Sequence, residues 1–347
     1  MIEAKKTKLT LKSVAKILGV SNATVSNAFN RPDQLSPRKR EEILRACKEL
    51  GYSGPNQAAR SLRKGRSGIV GLVLSDSPKY MMSDPVANQF LQGVTEHFEE
   101  TSANLLLISG NQPSLSSVVD FVDGFICYGA PRNTAIVDEL SATTKKVVTV
   151  DFNIDGRSSV NIDNEQAAYQ IASDVVVNST QKVAILGLRL IDSKYTCRVH
   201  DNELINTQES IAHRRLDGYL KRIEEVGGKI SGEQIWSIPE SSHQFATIAA
   251  REALETKNPP DILLCMSDII ALAAMKEVLQ RGLQIPQEIK IVGFDGIDEA
   301  LRFHPALTTV EQFSRQKGIK AAELFYGTAG ESVILPFKIE HRESSHS

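Results

Sequence analysis

Cysteine and tryptophan are scarce in this chain of 347 residues, which has four of the first (Cys47, Cys127, Cys197, Cys265) and one of the second (Trp236). The cysteines lie tens of residues apart and form neither a C-x-x-C pair nor a dense framework. That excludes a small disulfide-stapled secreted fold and fits a reducing cytoplasm. No apolar run approaches the roughly 18 residues of a membrane span. Lys5, Lys6 and Lys8 imitate the start of a signal peptide, but no long apolar stretch follows them, so no membrane partner is expected. The phosphate loop G-x-x-x-x-G-K-[ST], the dinucleotide turn G-x-G-x-x-G, the zinc pair H-E-x-x-H and the nucleophile elbow G-x-S-x-G are all missing, and nothing else points to an enzyme. Cys197, His200, Asp201 and Glu203 match no standard metal-ligand spacing, so a solvated loop is expected there, with no metal and no cofactor.

Net charge is also nearly absent, at -2, but the average hides a split. Residues 1–66 hold 15 Lys plus Arg against 5 Asp plus Glu, a net of +10, which leaves 25 against 37 for the remainder. A basic surface attracts phosphates and releases their counterions, whereas an acidic one is repelled from a duplex. The chain reads as a basic module attached to an acidic one, the basic part suited to docking on phosphates or, on charge alone, a solvated charged tail. With 41% hydrophobic residues it can bury a sizeable core, and its length calls for two or three domains.

The basic part carries the densest local pattern, from Leu11 to Asn30. Thr10 is placed to cap a helix that presents Val14, Ile17 and Leu18 on one face, with the small Ala15 where a second helix crosses. Gly19 falls where the chain must turn left-handed, Ser21 caps the next helix, and Val25 packs that helix against the first. A third helix starts at Ser36-Pro-Arg and covers the pair with Ile43, Leu44, Ala46, Cys47 and Leu50 before Gly51 ends it. This is the spacing of a helix-turn-helix.

These residues resemble the LacI/GalR family of transcriptional regulators, in Thr10-Leu11, Val14-Ala15, Gly19-Val20-Ser21, Thr24-Val25-Ser26, Asn30, Ser36, Arg40, Leu50-Gly51-Tyr52 and Ala59-Arg60-Ser61-Leu62. The resemblance implies that the second helix enters the major groove, with Asn22, Ala23 and Asn27 at base-reading positions. Asn can pair bidentately with adenine and Ala can touch a thymine methyl. Leu11, Ser21, Thr24, Ser26, Asn30 and Ser36 match phosphate-contacting positions, which fix register. Ala59, Arg60 and Leu62 match a hinge helix whose leucines wedge into the minor groove.

From Gly68 onward short apolar runs alternate with amphipathic helices, the pattern of parallel sheets in an α/β fold. The runs are Ile69 to Leu74, Leu105 to Ile108, Val122 to Cys127, Val147 to Val150, Val183 to Leu186, Ile262 to Met266 and Ile289 to Phe294. Such sheets bind ligands beyond the carboxyl ends of their strands. The family resemblance, carried here by Val292-Gly-Phe-Asp-Gly296, His304-Pro-Ala-Leu-Thr-Thr309 and Leu335 to Ser344, implies a periplasmic-binding-protein-like domain of two parallel-sheet lobes. The expected division is a headpiece over 1–54, a hinge helix and linker over 55–66, and an effector-binding domain over 67–347. Its N-terminal lobe would hold about 67–163 and 304–328, its C-terminal lobe about 164–303 and 329–347.

By the same resemblance Arg215 matches the effector-binding arginine and Asp295 the acidic residue that accepts hydrogen bonds from the effector. Asp151, Asp163, Ser267 and Phe294 are placed at strand ends facing the cleft. Asp163 and Ser267 read equally well as helix N-caps, and Trp236 as a buried core residue. The implied function is a repressor that binds a palindromic operator as a homodimer and is controlled by a small molecule, a carbohydrate or related metabolite. A solute-binding component of a transport system would share the cleft, but it would need an export signal and would have no use for the basic headpiece.

Overall fold

The structure is a computed structural model that describes residues 9–54, 66–101, 103–200 and 210–346. The chain divides into two compact units, Met1–Gly68 and Ile69–Ser347.

The first unit is built from α1 (Leu11–Ile17), α2 (Asn22–Asn30) and α3 (Pro37–Glu49). Each start is set by a short hydroxyl side chain that accepts from the backbone N–H three residues on: Thr10 from Ser13, Ser21 from Thr24 and Ser36 from Lys39. Gly19 turns the chain between α1 and α2 at φ +65°, a conformation costly for any residue with a Cβ. The three helices enclose Val14, Ala15, Val25, Ala28, Ile43, Cys47 and Tyr52. Ile17, expected on the buried face, is instead 57% exposed. Ala15 belongs to the buried stripe, so the centre of that stripe lies between positions 14 and 15 and Ile17 falls beyond its rim.

The second unit runs β1 (Ile69–Leu74), α4 (Pro78–Met81), α5 (Pro85–Thr101), β2 (Asn104–Ser109), β3 (Gly124–Tyr128), α6 (Thr134–Ala142), β4 (Lys146–Val150) and β5 (Ser158–Ile162). It continues with α7 (Asn164–Val175), β6 (Val183–Leu188), β7 (Cys197–Arg198), α8 (Ile211–Glu225), β8 (Ile235–Ile238), α9 (His243–Leu254), β9 (Ile262–Cys265), α10 (Asp268–Gln280) and β10 (Lys290–Asp295). The last elements are α11 (Asp298–Arg302), β11 (Thr308–Glu311), α12 (Ser314–Tyr326), β12 (Ser332–Leu335) and β13 (Lys338–Glu340). Two sheets result. One, ordered β12-β5-β4-β3-β1-β2, is parallel throughout; the other, β13-β11-β10-β9-β6-β8-β7, is parallel except at its two edge strands. Helices cover both faces of each, so the central strands are apolar on both sides, as in β1 and β3. None of the described helices is long and apolar enough to cross a membrane.

The chain passes between the lobes at Asp163, at Gln312–Phe313 and at Pro336–Phe337. The second and third crossings lie beyond the positions expected near 304 and 328. Thr308–Glu311 pairs in parallel with β10 and so belongs to the C-terminal lobe, while Ser332–Leu335 pairs in parallel with β5 and returns to the N-terminal one. Both are four-residue strands without a long apolar run, and neighbour pairing rather than composition assigns them. Between these crossings α12 packs closely on α5. A Cβ at Gly93 would run into the backbone oxygen of Arg315, and one at Gly318 into that of Phe90.

Candidate functional site

In the headpiece, α2 buries Val25 and Ala28 and turns its other side outward. Asn22 and Ala23, in its first turn, are exposed, and Asn27 is half-buried one turn later. Ser21 satisfies the Thr24 N–H, and its hydroxyl lies 2.8 Å from Thr24 Oγ1, so these two side chains are held against each other at the start of the helix. Asn30 donates to Ser26 Oγ at 3.3 Å. Leu11 is half-buried, and Ser36 is exposed at the start of α3. Arg40 donates to Ala28 O at 3.1 Å, which ties α3 to the carboxyl end of α2 and gives that side chain a structural task. Ala59, Arg60 and Leu62 lie outside the described residues, as do Asp201 and Glu203.

In the second unit the strand ends converge between the lobes. Four described residues other than glycine adopt positive φ, and all sit there: Asp151 after β4, Arg189 after β6, Asp295 at the end of β10 and Phe313 at the second crossing. Such strain persists only where the surroundings over-determine it, and it gathers at binding sites. Arg215, 3% exposed on α8, donates to Asn164 Oδ1 at 3.0 Å and to Met266 O at 2.6 Å. Its guanidinium lies 3.5 Å from the centre of the Phe294 ring and 3.6 Å from Asp295 Oδ1.

A second cation completes the cluster. Lys317 Nζ, 1% exposed, donates at 2.7 Å to both Asp151 Oδ1 and Gln312 Oε1, and the Gln312 amide donates onward to Asp295 Oδ1 at 2.8 Å. A continuous polar chain thus runs from Asp151 and Lys317 of the N-terminal lobe, through Gln312 in the crossing, to Asp295 and Arg215 of the C-terminal lobe. Burial pushes the Asp295 carboxyl well above the usual carboxylate range, more than Arg215 pulls it down. Burial likewise raises Asp268, to about 6, against the opposing bonds from Thr309 and the Ile297 and Gly296 N–H groups. Burial lowers Lys317, and Asp151 opposes that shift. Two cationic donors, two carboxylates and an aromatic ring are the equipment for a ligand carrying hydroxyl or carboxylate groups.

The other expected residues divide. Asp163 is exposed and caps α7 through Gln166 N at 2.9 Å; Ser267 is buried and caps α10 through Ile270 N at 3.2 Å. Ser267 also meets Ser241 Oγ at 2.7 Å, beside an open groove of about 410 Å³ lined by Ser77, Lys79, Tyr80, Glu240, Ser241 and His243. That groove lies at the mouth of the cleft and not around Arg215, whose guanidinium is enclosed. Trp236 is buried in the core, where its Nε1 donates to Glu252 at 2.9 Å. Among the described residues no group of three or more His, Cys, Asp or Glu is placed to hold a metal ion.

Sequence reasoning missed Lys317, Gln312 and Asn164. A signal for Lys317 exists: it sits on the helical stripe shared with Gly318, Ala321, Ala322 and Phe325, where every neighbour is small or apolar.

Two family profiles match the chain: "Bacterial regulatory proteins, lacI family" over residues 10–56 and "Periplasmic binding protein-like domain" over 201–344. The HTH-type transcriptional regulator Rv3575c of Mycobacterium tuberculosis is 35% identical over 326 residues, covering 91% of this chain and 89% of that protein. The lac repressor dimer bound to operator and the anti-inducer ONPF shares the fold with a TM-score of 0.73 at 20% identity, over 98% of this chain and all of that one. The complex of the transcriptional regulator CelR with cellobiose does so with a TM-score of 0.65 at 23% identity, over 97% of this chain and all of that one. A solute carrier would account for the cleft but not for the match over the helix-turn-helix. The chain belongs to the LacI family of bacterial regulatory proteins, which are DNA-binding transcriptional regulators and not enzymes.

Proposed function

We propose that this regulator is a cytoplasmic repressor that binds a palindromic operator as a homodimer and releases or grips it according to a small-molecule effector held between its lobes. Residues 1–54 form the reading module. Asn22, Ala23 and Asn27 meet base edges, and Leu11, Ser21, Thr24, Ser26, Asn30 and Ser36 meet phosphates. Residues 55–66 link this module to the effector-binding part, with Ala59, Arg60 and Leu62 in the minor groove at the dimer axis. The exposure of the first turn of α2 supports the base-reading assignment, and the operator-bound dimer of the lac repressor supports the assembly.

The effector site is assigned to Arg215, Asp295, Asp151, Asp163, Ser267 and Phe294, and Lys317 and Gln312 join them. The observation that carries this reading is the convergence of strained strand ends on Arg215, which is stacked on Phe294 beside Asp295. Arg215 and Lys317 donate here while Asp151 and Asp295 offer acceptor oxygens, so a polyhydroxylated ligand can both donate and accept; a carbohydrate or related metabolite fits, as cellobiose does in CelR. An effector shifts the lobe equilibrium only by its differential affinity for the two states. The test is thermal unfolding of the full chain against sugars, sugar acids, sugar phosphates and nucleobases. A ligand at 100 times its dissociation constant adds roughly 2.7 kcal/mol. A shift seen with the native protein and lost in Arg215→Ala supports the site; a shift that survives Arg215→Ala removes Arg215 from it.

A further inference from the structure

At the mouth of the cleft the lobes touch through groups that the proposed effector site does not use. Asp76, buried in the loop after β1, is held by its own lobe: its Oδ1 accepts from Ser77 N at 2.6 Å and from Asn111 Nδ2 at 3.0 Å, and its Oδ2 lies 3.0 Å from Arg132 Nη2. The same Oδ2 accepts from Arg189 Nη2, of the other lobe, at 3.1 Å. Arg189 is fixed from its own side as well. Its N–H donates to Ile238 O at 2.8 Å, its Nε donates to Pro239 O at 3.1 Å, and its backbone is held left-handed at φ 53°. A second bond spans the same mouth, from Ser241 N to Tyr80 Oη at 2.9 Å, and Val86 of the N-terminal lobe is buried in a core cluster of the C-terminal one.

We propose that Asp76 and Arg189 form a charge latch that holds the two lobes together at the cleft mouth. Both halves are preorganised within their own lobes, so closing the latch orders little that is not already ordered. Arg132 makes the latch reversible. When Arg189 leaves, Asp76 keeps a guanidinium and two N–H donors, and opening does not strand a buried charge. The energy of opening is therefore nearer that of an exposed ion pair than of a buried one. The latch lies between the lobes, and a ligand entering past Tyr80 and Ser241 passes beside it. This inference rests on the reading that lobe movement is the effector-linked change, but its test needs no effector, so either can fail alone.

The experiment is amide hydrogen exchange on the full chain, comparing segments 74–86 and 236–245 in the native protein, Arg189→Met, Asp76→Asn, the double variant and Arg132→Met. The latch predicts that each single latch variant speeds exchange in both segments by roughly two- to tenfold. The double variant should do no more than either single change. Arg132→Met should act on the first segment alone. Unchanged exchange over 74–86 in Arg189→Met overturns the latch, because Arg189 touches that segment only through Asp76, as does a double variant whose effect is the product of the two singles. Should Asp76→Asn misfold, Arg189→Met still decides, because its side chain is 31% exposed and lies outside the core.

Discussion

The headpiece and the effector cleft solve opposite problems with the same residue types. In the headpiece polar side chains stay at the surface, where Thr10, Ser21 and Ser36 cap helices over a core of seven small or apolar residues. In the cleft, charged groups are taken out of water and paired with one another: Arg215, Asp295, Lys317 and Asp151 are all buried. The difference teaches where each part is vulnerable. Removing a headpiece group weakens one contact, whereas removing a cleft group leaves its partner buried without its counter-charge.

That contrast is broken most severely at the Lys317–Asp151 pair. Asp151→Ala should cost about 3–5 kcal/mol in denaturant unfolding of the second unit, and replacing Lys317 by Met in the same protein should restore much of it. If Asp151→Ala alone is neutral, the pair is not buried as described. The next test uses proton linkage. Asp268 has its carboxyl raised from 3.8 to about 6, so its contribution to stability is fully present below pH 3.8 and is lost as pH rises through about 6. Native protein and Asp268→Asn should therefore diverge across that window by on the order of 2–3 kcal/mol. Parallel pH profiles would contradict this.

The headpiece effects are smaller. Asn27→Ala or Asn22→Ala should weaken operator binding by about 1–3 kcal/mol while leaving the salt-dependent non-specific binding in place. An equal loss on both kinds of DNA would move these residues from base reading to phosphate contact. Smallest is Thr10→Ala, which removes one cap and should lower headpiece stability by about 1 kcal/mol without changing operator preference.

Much of the headpiece was legible because its determinants are local. The caps, the left-handed Gly19 and the period of Val14, Ala15 and Val25 are consequences of residues within a few positions of one another. Ile17 is the exception, since which edge of a stripe is covered depends on the partner helix. In the second unit the apolar strands were readable from composition, yet β5, β8, β11 and β12 were not, since polar residues break the apolar run of each, which is identified by the strands it pairs with. Resemblance named Arg215 and Asp295 for the cleft, and the structure brings these two within 3.6 Å of each other. Lys317 stood in an ordinary helical sequence that carried no local mark of burial beyond its small neighbours, and Gln312 in the short connection before that helix carried none.

The sequence by itself determined the helix-turn-helix, the charge division between the two units and the α/β character of the larger one, because caps, turns and hydrophobic period act over one or two turns of chain. Only the tertiary structure decided which strand returns to which lobe, that Lys317 reaches Asp151 across 166 positions, and that Arg189 reaches Asp76 across 113. Those pairings depend on where the crossings bring distant segments together, and no short-range preference carries that information.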